Sequence, residues 1–223
     1  FTGGSRLIQQ GVVSLGEMRR LTLLLGAVVV GGGLLLAARV GPVVVGLGVA
    51  GVLLGWAYSA PPLALMSRGL GEAAVAMAWW LVVVGTDAVQ RGHLGAPAAQ
   101  AGVSFGLLVA AILLANGFPD ARADASVGKC TLVVRLTPPR AADAYLALVL
   151  AAHAWLAAGL WRGWFPPAAA IALVSLPLSL AASAILRRHA MSPARLKPAL
   201  ILTILAAVVH GLLFSAGLWL AAR

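Results

Sequence analysis

Long apolar segments are the feature that most constrains how this chain can fold. Seven of them recur between short polar loops, and each is close to the ~20 residues that a helix needs to cross ~30 Å of hydrocarbon. They cover approximately residues 21–38, 41–58, 70–87, 97–115, 142–160, 166–186 and 198–220. Since 61% of the residues are hydrophobic and only 10% are charged, a soluble globular domain is excluded. We therefore predict an all-α, polytopic transmembrane bundle that forms one membrane-embedded domain over residues 1–223.

The basic residues indicate how such a bundle is oriented. Seven spans place alternate loops on opposite faces of the membrane, and twelve of the sixteen Lys and Arg residues then fall on one face. Cytoplasmic loops are enriched in Lys and Arg, so this face is predicted to be cytoplasmic, in the cell membrane. The formal charge of +10 could suggest nucleic acid. We expect the lipid bilayer and no nucleic acid as partner, because the charges lie in short loops between spans.

One polar motif interrupts the apolar sequence after the fourth span, and a polar loop is predicted from there to Arg140. Asn116, Asp120 and Asp124 occur at i, i+4 and i+8, a spacing that places them on one helix face with a drift of about 40° per step. Carboxylate oxygens suit Mg²⁺, which commonly takes one or two carboxylates plus substrate phosphates. The motif therefore predicts a magnesium site. Two alternatives to a metal site stay open. Asp120 and Asp124 could only form ion pairs with nearby cations, and Asn116 could only cap the end of a helix.

Cations flank the same motif. Arg122, Lys129 and Arg135 could bind the oxygens of a polyphosphate, or could simply set the topology of the membrane protein. On this orientation the motif faces the cytoplasm, where Mg²⁺ and phosphorylated metabolites are found.

Three segments of the chain recur together in one known family. The first is Asn116-x-x-x-Asp120-x-x-x-Asp124-x-x-x-Gly128-Lys129-x-Thr131-Leu132-x-Val134-Arg135-Leu136. The second is Phe1-Thr2-Gly3-Gly4-Ser5-Arg6-x-Ile8-Gln9-x-Gly11, and the third comprises Tyr58-Ser59-x-Pro61-Pro62-Leu63 and Arg68-Gly69-Leu70-Gly71-Glu72. The first resembles the second aspartate-rich motif of the UbiA-type membrane prenyltransferases, and the other two resemble segments of their 1,4-dihydroxy-2-naphthoate branch. The resemblance implies nine spans and two aspartate-rich motifs. We therefore expect this chain to be N-terminally truncated, without the first two spans and the first motif.

The resemblance implies transfer of a polyprenyl group from its diphosphate to an aromatic acceptor, with 1,4-dihydroxy-2-naphthoate in menaquinone biosynthesis as the expected acceptor. It implies Mg²⁺ held by Asp120 and Asp124 with help from Asn116. Tyr58 would line the pocket where the prenyl cation meets the acceptor. The residues expected to bind the diphosphate are Arg6, Arg68, Arg122, Lys129 and Arg135.

Several interpretations stay open at this point. The acceptor could instead be 4-hydroxybenzoate, homogentisate or a tetrapyrrole, and the chain could be a small-molecule transporter or an inactive family member. Glu72 is either a charge at a helix N-terminus or a partner of Arg68. His153 and His210 lie within spans, where we expect neutral rings that hydrogen-bond across helices rather than functional groups. The Trp79–Trp80 pair either lines a groove for the prenyl tail or only packs.

Overall fold

Helices are the only regular elements in the part of the chain, residues 7–221, that the computed structural model describes. The eight α-helices are α1 (Leu15–Val40), α2 (Val43–Ser59), α3 (Gly71–Arg91), α4 (Ala96–Ser126), α5 (Leu132–Leu136), α6 (Pro138–Trp161), α7 (Leu176–His189) and α8 (Lys197–Ala221). Three 3₁₀ segments cover Leu65–Arg68, Pro167–Ser175 and Pro193–Arg195.

All seven predicted spans correspond to helices. Six helical segments are long and apolar enough to cross a membrane, namely α1, α3, α4, α6, α8 and the continuous stretch Pro167–His189, which ends in α7. The shorter apolar helix α2, with 17 residues, accounts for the seventh predicted span. The prediction of a polytopic helical bundle is confirmed, and the chain is a multi-pass membrane protein.

The prediction of a polar loop after the fourth span is largely wrong. Instead, α4 continues through the motif and ends only at Ser126, which gives the helix a length of 31 residues. At a rise of 1.5 Å per residue it is about 46 Å long, which exceeds the ~30 Å hydrocarbon thickness. The helix persists because the segment is rich in Ala and buries Phe118 and Ala121. Its end coincides with Gly128, whose positive φ of 74° is typical of helix termini.

The main core lies among α4, α6, α7 and α8. Its buried members include Leu114 and Phe118 of α4, Tyr145 of α6 and Leu186 of α7. The Tyr145 hydroxyl is satisfied within this core by the Thr203 hydroxyl of α8 at 2.7 Å. In contrast, α1 and α2 contain no buried residues. The tight part of the bundle therefore surrounds the buried face of α4, and α1 and α2 lie at its periphery.

The two histidines within spans hydrogen-bond across helices, as predicted. His153 Nδ1 lies 2.7 Å from the Val149 carbonyl oxygen, and its Nε2 lies 2.9 Å from Ser175 Oγ. His210 contacts Ser175 Oγ through Nδ1 at 3.2 Å and Ser104 Oγ through Nε2 at 3.1 Å. Two neutral imidazoles can make all of these bonds. The network links α4, α6, the Pro167–Ser175 segment and α8, and it gives each buried ring nitrogen a partner.

Small residues allow α3 and α4 to approach closely. A Cβ atom on Gly106 of α4 would lie 2.5 Å from the Ala76 carbonyl oxygen of α3, which is closer than a carbon and an oxygen can pack. Glycine at such positions is typical of helix pairs in membranes, where packing rather than water exclusion drives association.

We therefore expect Gly106→Ala to destabilise the bundle, because the added methyl must push α3 away from α4. Thermal unfolding of the purified protein in detergent measures the effect. Gly32→Ala is the matched control, since no atom of the described residues lies within 4 Å of a Cβ atom at Gly32 on α1. At that position we expect alanine to be neutral or slightly more favourable to the helix than glycine. Equal melting temperatures for the two variants would show that the close approach of α3 and α4 is incorrect.

Candidate active site

A cavity of about 390 Å³ lies where α2, α3 and α4 meet the segment that follows α4. Its polar lining comprises Tyr58, Glu72, Asn116, Asp120, Asp124, Lys129 and Thr131. The apolar part includes Met66 and Leu113. The cavity therefore gathers residues from two of the segments that the sequence analysis singled out.

The three predicted oxygen ligands lie on one face of α4. Asn116, Asp120 and Asp124 all line the cavity, and successive members are separated by about 6 Å along the helix axis. Phe118 and Ala121 lie on another face of the same helix and are buried in the core. Because that apolar face is fixed by packing, the three polar side chains are directed into the cavity. The prediction of a shared face is correct, while the metal-binding role stays a prediction.

The segment after α4 folds back over the cavity. The Lys129 N–H donates to the Asp124 carbonyl at 2.9 Å, and the Cys130 N–H donates to the Ser67 carbonyl at 3.0 Å. The second bond ties this segment to the Leu65–Arg68 turn. Lys129 Nζ then lies 3.4 Å from Asp124 Oδ1, with 39% of the lysine side chain and 18% of the aspartate side chain exposed. The lysine is thus positioned beside the acids without being fully desolvated.

Two of the other predicted diphosphate ligands lie away from the cavity lining. Arg122 is exposed, because a residue two positions after Asp120 lies about 200° around the helix. Arg68 donates from its guanidinium to the Pro62 carbonyl at 2.6 Å, so its side chain is directed toward the end of α2. The placement of these arginines does not support direct diphosphate binding.

Arg135 and Arg6 are the remaining two predicted cations. Arg135 is exposed and lies against Gly69, where a Cβ atom would be 2.6 Å from Arg135 Cδ. Gly69 also has a positive φ of 70°, so both its backbone and its surroundings favour glycine. Arg6 lies outside the described residues. Among the five predicted cations, Lys129 is therefore the one that residues 7–221 show in the cavity lining.

Glu72 is a site residue whose role the sequence analysis left as a helix-end charge or an Arg68 partner. It lies in the first turn of α3, so the first interpretation holds, whereas Arg68 bonds elsewhere. Glu72 also lines the cavity beside Tyr58, with which it interacts electrostatically. An acid at the start of an apolar span was the available sequence signal. Thr131 carried no comparable signal beyond its place in the motif.

Protein side chains supply an incomplete metal site. Within the described ranges, no three Asp, Glu, His or Cys side chains lie close enough together to hold a metal ion. The cavity does provide two carboxylates and an amide on one helix face. A hard cation bound there would need further oxygens from water or from a substrate.

A larger apolar groove of about 660 Å³ lies between α3, α4 and α6. Trp80 and Trp155 line it, and their indole N–H groups donate to the Ala99 and Gln100 carbonyls, each at 2.8 Å. These bonds hold both rings as fixed walls. Trp79 instead makes an edge contact with Phe105, so only one member of the Trp79–Trp80 pair lines this groove.

Comparison with known proteins gives a consistent result. A sequence profile described as the UbiA prenyltransferase family matches residues 4–205. A 1,4-dihydroxy-2-naphthoate octaprenyltransferase of Mycobacterium leprae is 32% identical over 194 residues, which are 85% of this chain and 63% of that protein. A protein of the same description from Escherichia coli is 28% identical over 234 residues, covering 98% of this chain and 73% of that protein. No solved structure matches significantly.

The contact between Lys129 and Asp124 leads to a prediction about stability. Because both side chains are partly exposed, we expect Lys129→Met to change the free energy of unfolding by less than about 1 kcal/mol. Thermal unfolding in detergent at low and high salt measures this. A loss of several kcal/mol would mean that Lys129 is a structural residue rather than one available to a ligand.

Proposed function

This chain belongs to the UbiA prenyltransferase family, and from that premise we propose that it transfers a polyprenyl group from its diphosphate to a small aromatic acceptor. The observation that carries the proposal is the cavity that Asp120, Asp124, Lys129 and Tyr58 line together. It combines acids for a cation, an ammonium for phosphate and an aromatic ring for a carbocation. Family membership by itself does not supply this combination.

The charge of the cavity favours a cation-assisted diphosphate. The described lining carries three carboxylates, Glu72, Asp120 and Asp124, against the single ammonium of Lys129. A diphosphate would be repelled by this lining unless cations accompanied it. The Asp120 and Asp124 carboxylates with the Asn116 amide oxygen form a donor set that fits Mg²⁺. Bound there, Mg²⁺ would supply electrostatic stabilisation of the charge on the departing diphosphate.

The protein's own residues then have separate tasks. Asp120 and Asp124 would hold the cation, and Lys129 offers its ammonium directly to a phosphate oxygen. When the allylic C–O bond breaks, its electron pair leaves with the diphosphate. An electron pair of the acceptor ring forms the new C–C bond. The ring then loses a proton, or carbon dioxide where the attacked position carries a carboxylate.

The part of the cavity that α2 and α3 line is suited to the acceptor. The ring of Tyr58 packs against the start of α3, where a Cβ atom on Gly71 would lie 3.6 Å from Tyr58 Cε2. An aromatic face attracts positive charge, so Tyr58 stabilises the allylic cation during transfer. Glu72 next to it accepts a hydrogen bond from an acceptor hydroxyl. The acceptor is therefore proposed to bind in this part of the cavity, beside Tyr58 and Glu72.

The apolar groove is suited to the prenyl tail. Ala73 lines the groove and directly follows Glu72, which lines the cavity. A donor with its diphosphate among the acids could therefore place its hydrocarbon against Met77 and Trp80. Such a position leaves the tail in apolar surroundings and keeps water from the reacting carbon.

The printed descriptions of both relatives support 1,4-dihydroxy-2-naphthoate as the acceptor, which would give this protein a role in menaquinone biosynthesis. With that acceptor the carboxyl group is lost during transfer. Product identification from membranes that are supplied with 1,4-dihydroxy-2-naphthoate, 4-hydroxybenzoate or homogentisate tests this choice. A prenylated product from one of the other acids alone would reassign the acceptor.

We place the protein in the cytoplasmic membrane, with the cavity facing the cytoplasm. The excess of basic residues on this face supports that orientation. Transporters typically carry their ionisable substrate-binding residues near the middle of the membrane. Here Asp120 and Asp124 occupy the last turns of the extended helix α4, which favours the enzyme over a transporter.

Removal of either acid tests the proposed reaction. We expect Asp120→Ala and Asp124→Ala to lower prenyl transfer about a hundredfold or more, because the diphosphate loses its cation. Both substitutions are tested in the protein that the whole gene encodes. Membrane insertion should be unchanged. Transfer of labelled prenyl diphosphate in isolated membranes is the measurement.

Asp143→Ala is the matched control for these variants. Asp143 pairs with Arg187 at 3.0 Å, and more than half of each side chain is exposed, so its loss should leave activity near that of the unmodified protein. A loss of only a few-fold in both Asp120→Ala and Asp124→Ala would contradict metal ligation.

Removal of divalent cations should abolish prenyl transfer in the unmodified protein, because the acidic cavity then repels the diphosphate. We expect activity to return on addition of Mg²⁺ but not of the same concentration of K⁺. Binding of inorganic diphosphate, followed by calorimetry, should show the same dependence. Diphosphate binding that is equally tight without divalent cations would argue against the proposed site.

A further inference from the structure

Thr131 carries a buried hydroxyl that the fold does not use. It immediately precedes α5, a position where a threonine commonly accepts a hydrogen bond from a backbone N–H of the first helical turn. No such bond forms. Thr131 Oγ1 is buried and has no hydrogen-bond partner among residues 7–221. Because an unsatisfied buried hydroxyl destabilises a protein, this group calls for a partner that the described residues do not provide.

Thr131 belongs to the wall of the cavity. Residues 129–131 lie outside the helices, and alternate side chains of an extended segment face opposite sides. Cys130 is exposed, whereas Lys129 and Thr131 on either side of it both line the cavity. The bond from the Cys130 N–H to the Ser67 carbonyl holds this alternation in place. Thr131 is therefore presented on the same side as the ammonium of Lys129.

The cavity needs hydrogen-bond donors more than acceptors. Its carboxylates on Glu72, Asp120 and Asp124 can only accept hydrogen bonds when ionised. An anionic phosphate oxygen binds donors, and a bond to a charged oxygen is stronger than one between neutral groups. A threonine hydroxyl supplies a donor without changing the charge around the cation.

We propose that the Thr131 hydroxyl donates a hydrogen bond to a phosphate oxygen of the prenyl diphosphate and, together with Lys129, positions the leaving group against Asp120 and Asp124. This inference rests on the proposed function and adds a positioning residue to it. The diphosphate thereby satisfies the hydroxyl that the described part of the chain leaves unpaired.

Two substitutions separate this role from a structural one. Thr131→Val keeps the shape of the side chain and removes the hydroxyl, whereas Thr131→Ser keeps the hydroxyl. We expect the unliganded Thr131→Val protein to melt at the same temperature as the unmodified protein or higher, because an unpaired polar group is removed. Its affinity for inorganic diphosphate in the presence of Mg²⁺ should fall about tenfold. Thr131→Ser should largely retain that affinity, and the KM for prenyl diphosphate should follow the same order.

Ser183→Ala provides the matched control. Ser183 Oγ on α7 is also buried without a hydrogen-bond partner in the described part of the chain, but Ser183 is not part of the cavity lining. Its substitution should leave diphosphate affinity unchanged. The comparison shows whether the effect at Thr131 depends on the cavity or on burial alone.

Calorimetry with inorganic diphosphate and Mg²⁺ measures the diphosphate affinity of every variant, each made in the protein that the whole gene encodes. Unchanged diphosphate affinity in Thr131→Val overturns the inference, and so does a clear loss of thermal stability in the unliganded variant, which would assign the hydroxyl a structural role. If Asp120→Ala still abolishes transfer while Thr131→Val binds normally, only the inference about Thr131 fails. If the unmodified protein neither binds diphosphate nor transfers a prenyl group, the proposed function fails as well.

Discussion

The packing of α4 against the core is the interaction on which the candidate site depends. Leu114 and Phe118 are almost completely buried between α6, α7 and α8, so α4 cannot rotate about its axis without exposing them. This fixes the opposite face of the same turns, which carries Asn116, Asp120 and Asp124. The core therefore determines where the acids point, although none of its own residues takes part in the proposed chemistry.

Electrostatics then limits what the cavity can bind. Among residues 7–221, three carboxylates share its lining with one ammonium. Of the predicted arginines in that range, Arg68 bonds to backbone, and Arg122 and Arg135 are exposed. An anionic ligand must therefore bring cations with it. The same acidity that repels a bare diphosphate favours a cation–diphosphate complex, which is consistent with the proposed transfer reaction.

The two buried histidines differ from the threonine at the cavity. His153 and His210 lie within spans, where an unsatisfied ring nitrogen is costly, and Ser104, Ser175 and the Val149 carbonyl satisfy them. The Thr131 hydroxyl is buried and has no hydrogen-bond partner among residues 7–221. The first arrangement stabilises the fold by itself. The second is suited to a ligand, because the free energy of pairing is released only on binding.

The sequence by itself determined the membrane-spanning helical class, the number of apolar segments and the shared face of the acids, because these follow from segment length and from the period of the helix. Only the tertiary structure decided which cations reach the cavity and that Glu72 and Thr131 belong to it. Such contacts join α2, α3, α4 and the segment after α4, and their proximity depends on packing between residues far apart in the chain. A local sequence pattern carries no information about the spatial distance between residues on different helices.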